Sequence, residues 1–71
     1  MPYVNIQITR EGATRAQKAE LIKGVTDLLH TVLLKDPAST FVIIEEVATE
    51  DWGWGGLPAL EYRAKLRADQ G

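Results

Sequence analysis

No cysteine occurs in the 71-residue sequence, which excludes a disulfide framework, a thiol nucleophile and a thiolate metal site. Histidine is nearly absent as well. His30 stands alone, so a multi-histidine metal centre is impossible and a Ser-His-Asp triad has only that imidazole to draw on. Eight Lys and Arg against ten Asp and Glu leave a formal net charge of −2, without the cationic surplus of a nucleic-acid binder. No apolar run approaches the roughly 18 residues that span a bilayer, and no basic n-region followed by an apolar stretch opens the sequence. The expectation is a cytoplasmic protein with neither nucleic acid nor membrane as partner.

Apolar material, by contrast, is plentiful at 45% of residues. The length allows one domain, residues 1–71. A domain this small buries only about 60% of its unfolded surface and usually needs a staple or partner subunits. With no staple available, a homo-oligomer is expected.

Tyr3-Val4-Asn5-Ile6-Gln7-Ile8-Thr9 alternates apolar and more polar residues, the period of a half-buried strand. Thr14 and Gln17 then fit a capping box, predicting a helix that begins there and carries Ala19, Leu21, Ile22, Val25, Leu28, Leu29, Val32 and Leu33 as an apolar stripe. Gly24 inside that helix suggests close packing. Pro37 cannot continue the helix, and residues 40–47 read as a second strand, apolar on both faces. Strand, helix and strand make a right-handed βαβ unit with parallel strands. One helix covers only one face of such a sheet, so the other face needs a second copy. Residues 51–56 have the glycines of a hairpin, residues 59–66 suit a short helix, and residues 68–71 are expected to fray.

The unusual chemical feature is Pro2 directly before a strand. An initiator methionine is normally cleaved before a small residue such as proline, and its removal would leave Pro2 with a secondary amine. An α-amino group titrates near about 7.7–8.0, and partial burial or adjacent cations would bring it toward the range of a general base. With Met1 retained, Pro2 is an amide and inert, and it serves only to start an edge strand.

Met-Pro-Tyr-Val-Asn-Ile at the start, Glu11-Gly12 followed by Gln17-Lys18 and Leu21-Ile22, Val42-Ile43-Ile44 before Glu46, and Trp52-Gly53-Trp54-Gly55-Gly56 together resemble the 4-oxalocrotonate tautomerase family, which includes 2-hydroxymuconate tautomerases. The likeness spans nearly the whole chain up to Gly56. It implies an α+β fold, a β-α-β subunit with a C-terminal hairpin whose sheet is completed by oligomerisation, usually as a hexamer. It also implies a cofactor-free tautomerase, associated with aromatic degradation, in which the processed Pro2 shuttles a proton on a small carboxylate substrate. Trp52 matches the family's aromatic residue near the proline.

Two departures bear on substrate. Ala13 and Phe41 stand where the best-known members carry arginines that bind carboxylate and polarise the carbonyl. Arg10, in the same loop as Ala13, is the candidate replacement, with Arg63 or Arg67 of a neighbouring subunit as further sources of charge. The candidate site is therefore Pro2 as base with Arg10, Phe41 and Trp52 binding substrate, and no metal or cofactor. Glu11, Glu45 and Glu46 invite a water-activating or metal role, but Glu45 and Glu46 are adjacent in a strand and face opposite sides. Arg15 and His30 read as surface residues, and Tyr3 as packing or interface. Two alternatives stay open: a hydratase or dehalogenase of unsaturated acids whose protonated proline donates, and an assembly module without catalysis.

Overall fold

A computed structural model describes residues 1–70. The order of elements is β1 (Tyr3–Thr9), α1 (Arg15–Leu33), a 3-10 turn (Pro37–Ser39), β2 (Phe41–Val47), a second 3-10 turn (Thr49–Asp51), β3 (Gly53–Trp54), β4 (Leu57–Pro58) and α2 (Ala59–Gln70). β1 and β2 pair in parallel, from Tyr3 opposite Phe41 to Thr9 opposite Val47, and β3 and β4 form a separate antiparallel hairpin. The βαβ unit and the hairpin expected from the sequence are both present.

Local chemistry accounts for most boundaries. The Thr14 hydroxyl accepts the Gln17 amide at 3.1 Å, and the Gln17 side chain accepts the Thr14 amide at 2.9 Å, closing the capping box. α1 ends before Pro37 has any influence: Leu34 takes a left-handed conformation, φ 57°, and its amide reaches the His30 carbonyl at 3.0 Å. Asp36 then caps the 3-10 turn by accepting the Ala38 amide at 2.9 Å. In the hairpin, Gly55 and Gly56 both have positive φ, 63° and 82°, as a two-residue primed turn requires. α2 corrects the expected fraying: it runs through Gln70, because residues 59–70 hold good helix formers and no breaker. Gly71 lies outside the described residues.

α1 covers one side of the sheet. Lys18 on α1 pairs with Glu46 on β2 at 2.7 Å, so the half-buried Val42, Ile44 and Glu46, and their partners Val4, Ile6 and Ile8, share the helix side. The opposite side carries Tyr3, Asn5, Gln7, Phe41, Ile43 and Glu45, all exposed. There the Asn5 and Gln7 side-chain amides both donate to the Glu45 carboxylate, at 2.6 and 3.3 Å. Glu45 and Glu46 thus do face opposite sides. β2 is not covered on both faces within the chain, and beyond its own helix turn nothing lies within 4 Å of where a Cβ on Gly24 would stand, so the close packing expected there is absent within the chain.

Among the described residues Ala59 is the single buried apolar side chain. Leu28, Val32 and Leu34 on and after α1 remain 60%, 65% and 82% exposed. The radius of gyration is 16.3 Å, well above the roughly 11 Å of a compact chain this long. The apolar stripe read from the sequence is real, but only Val25 and Leu29 of it are half-covered by the chain itself.

Candidate active site

Pro2 precedes β1, and its carbonyl accepts the Phe41 amide at 3.0 Å. That bond places Pro2 and Phe41 side by side at the amino ends of the two parallel strands. Pro2 is half-buried, while Phe41 lies on the open face beside Tyr3.

Arg10 and Trp52 stand at the other end. The Arg10 amide extends the ladder by donating to the Val47 carbonyl at 2.8 Å, and its guanidinium reaches the Glu46 carbonyl at 3.4 Å. Val47, Gln7, Asp51, Trp52 and Gly53 line a cleft of about 340 Å³. Trp52 is half-buried there, with its amide on the Thr49 carbonyl at 3.3 Å and its own carbonyl accepting from Ala59 at 2.9 Å. Pro2 and Phe41 therefore stand together at one end of the sheet, while Arg10 and Trp52 both lie near Val47 at the other, without a contact between them. A seven-residue strand, roughly 23 Å long, separates the two ends within one chain.

The loop between β1 and α1 is organised by Glu11. Its carboxylate takes both terminal nitrogens of Arg63 from α2, at 2.5 and 2.9 Å, and also accepts the Thr9 hydroxyl. The Arg63 fork, and after it the Thr9 hydroxyl, hold the Glu11 carboxyl down to about 2. With both carboxylate oxygens engaged by Arg63 and Thr9, Glu11 fastens the loop, and Arg63 is committed to its own chain's Glu11. Arg10 forms no ion pair among the described residues. Ala13 leaves no cation at its position and lines a second cleft, about 390 Å³, with Gln17, Glu20 and Leu21 of α1.

The Glu11–Arg63 pair had no signal in the sequence, since its partners are 52 residues apart and belong to no shared motif. Among the described residues no group of three or more acidic or His side chains is arranged to hold a metal ion, and no helix is long and apolar enough to cross a membrane.

A family model described as tautomerase enzyme matches residues 2–59, from Pro2 to the first residue of α2. A probable tautomerase of Dickeya dadantii is 56% identical over 63 residues, covering 89% of this chain and 94% of that protein. The 2-hydroxymuconate tautomerase of Pseudomonas putida is 38% identical over 61 residues, covering 86% and 95% respectively. Among solved structures, DmpI from Helicobacter pylori superposes with a TM-score of 0.82 at 43% identity, covering 89% of this chain and 97% of that one.

Proposed function

The chain belongs to the tautomerase family, and from that premise we propose that it is a cofactor-independent isomerase in which Pro2, freed of Met1, is the general base. The observation that carries the reading is the placement of Pro2: it stands at the tip of the sheet, pinned through its carbonyl to Phe41, with its nitrogen at the chain end once Met1 is removed. The neutral amine takes the hydroxyl proton of a small 2-hydroxy unsaturated acid. The O–H electron pair becomes part of a carbonyl, the enol electrons move outward, and the protonated amine returns the proton to carbon.

The working site takes its two halves from different copies of the chain. An isologous pair with antiparallel strands brings the Pro2 end of one sheet beside the Arg10 and Trp52 end of its partner. Assembly also covers the open face bearing Tyr3, Phe41 and Ile43 and the exposed apolar residues of α1. Further association to a hexamer is what the family resemblance implies.

Ala13 and Phe41 make the pocket poorer in cations than a dicarboxylate would require. The favoured substrate is a monocarboxylate with an aromatic or alkyl tail, its carboxylate on Arg10 and its tail against Trp52 and Phe41. A charge-assisted contact worth about 2 kcal/mol corresponds to roughly thirtyfold in affinity, enough to set the order of two substrates.

The test compares kcat/KM for phenylenolpyruvate and 2-hydroxymuconate, on protein whose intact mass establishes that Met1 is absent and whose light scattering at low micromolar concentration gives the assembly. An oligomer that prefers phenylenolpyruvate is expected. A stable monomer, retained Met1 or a preference for the dicarboxylate overturns the corresponding part of the reading.

A further inference from the structure

α2 begins where the family match ends, and it is attached to both segments that carry the binding end of the proposed site. On the hairpin side the Ala59 amide holds the Trp52 carbonyl at 2.9 Å. Tyr62 packs its ring on Trp54, centroids 4.5 Å apart at 44°, directly over Gly55. On the loop side Arg63, the next residue after Tyr62, forks onto Glu11, the next residue after Arg10. One turn of helix therefore joins the Trp52 segment to the Arg10 segment.

The loop needs such a hold. Its backbone is anchored at Arg10 by Val47 and at Thr14 by the capping box, and between these anchors the fastening is the Glu11 side chain. Gly12, at φ 95° with open space around its Cα, adds freedom rather than constraint. A guanidinium matches a carboxylate through two parallel N–H donors, which fixes orientation as well as distance. With the side chains 37% and 40% exposed, the pair contributes little to global stability. Its consequence is local.

We propose that Arg63 is a positioning residue: gripping Glu11 from α2, it sets the Arg10–Ala13 loop against the Trp52 hairpin and so fixes where the substrate's carboxylate is bound. Arg63 itself does not touch substrate, because Glu11 already occupies its fork. The effect on substrate rests on the proposed function, whereas the fastening of the loop does not.

Three variants, Arg63→Gln, Glu11→Gln and Arg63→Lys, are compared by amide hydrogen exchange and by steady-state kinetics with phenylenolpyruvate. Arg63→Gln and Glu11→Gln should each speed exchange of the Arg10 amide, which is bonded to the Val47 carbonyl, by about fivefold, the scale of a well-formed exposed fork, and leave α1 unchanged. KM should rise by roughly the same factor with kcat nearly constant, since binding rather than proton transfer is disturbed. Lysine keeps the charge without the fork and should restore only part of the loss. In an Arg10→Ala background Arg63→Gln should add nothing to KM, because the residue it positions is gone. Unchanged exchange at the Arg10 amide overturns the proposal, and so do KM penalties that multiply in the double variant. If the wild type turns over neither acid, the function reading fails, and the exchange measurement still decides the fastening.

Discussion

At the amino ends of the parallel strands Pro2 is placed by one backbone hydrogen bond from Phe41. At their carboxyl ends, Arg10 and Trp52 ride on two separate segments that α2 ties together through Ala59, Tyr62 and Arg63. On the proposed function, the contrast follows from what each end would present. A reactive backbone nitrogen would be located once its strand is located, and a ladder bond suffices. A binding surface made from a long cationic side chain and an indole would need two loops in register, and loops acquire register from tertiary contacts.

Pro2→Ala breaks the amino end alone and should have the largest effect. Activity should fall by about a hundredfold, the low end of what a positioned general base contributes, while circular dichroism stays unchanged. Turnover equal to wild type would reduce Pro2 to a strand starter. Arg10→Ala breaks the far end alone and should raise KM for phenylenolpyruvate by roughly thirtyfold, corresponding to one charge-assisted contact of about 2 kcal/mol. Mixing unfolded Pro2→Ala and Arg10→Ala chains and refolding them together sharpens the comparison. If each site draws one end from each of two copies, about a quarter of sites regain both residues. Recovery of no activity beyond that of the separate variants would place both ends in one chain.

Gly55→Ala strains the hairpin under α2. A Cβ there meets the Tyr62 ring, 2.8 Å from Cδ2, on a backbone at φ 63°. The expected cost is about 1–2 kcal/mol, read as a lowered Tm. Acid should have the smallest effect. Because the folded Glu11 pKa, about 2, lies below its ordinary value of 4.5, its contribution is complete above the ordinary value and is lost as pH falls toward 2. Protection of the Arg10 amide, taken relative to its intrinsic exchange rate at each pH, should therefore fall between about pH 4.5 and 2, and Glu11→Gln should abolish that dependence.

The features legible in the sequence were those with a local cause. Val4, Ile6 and Ile8 alternate because one side of β1 is covered. Thr14 and Gln17 are near enough along the chain to satisfy each other's amides, and Gly55-Gly56 supplies the two positive φ angles of the turn. Pro2, Phe41, Arg10 and Trp52 could be named as site candidates from residue type and family resemblance. Pro37 was the visible stop for α1, yet the helix ends at Leu33 because Leu34 turns left-handed, a choice its side chain does not advertise.

The sequence by itself thus determined the elements, the parallel βαβ order, the surplus of apolar surface and the chemical types at the site, since each depends on neighbours within a few positions or on composition. Only the tertiary structure decided the register that bonds the Phe41 amide to the Pro2 carbonyl, and that Arg63 closes on Glu11. Those facts depend on strand register and the docking of α2, which bring together groups far apart in the chain.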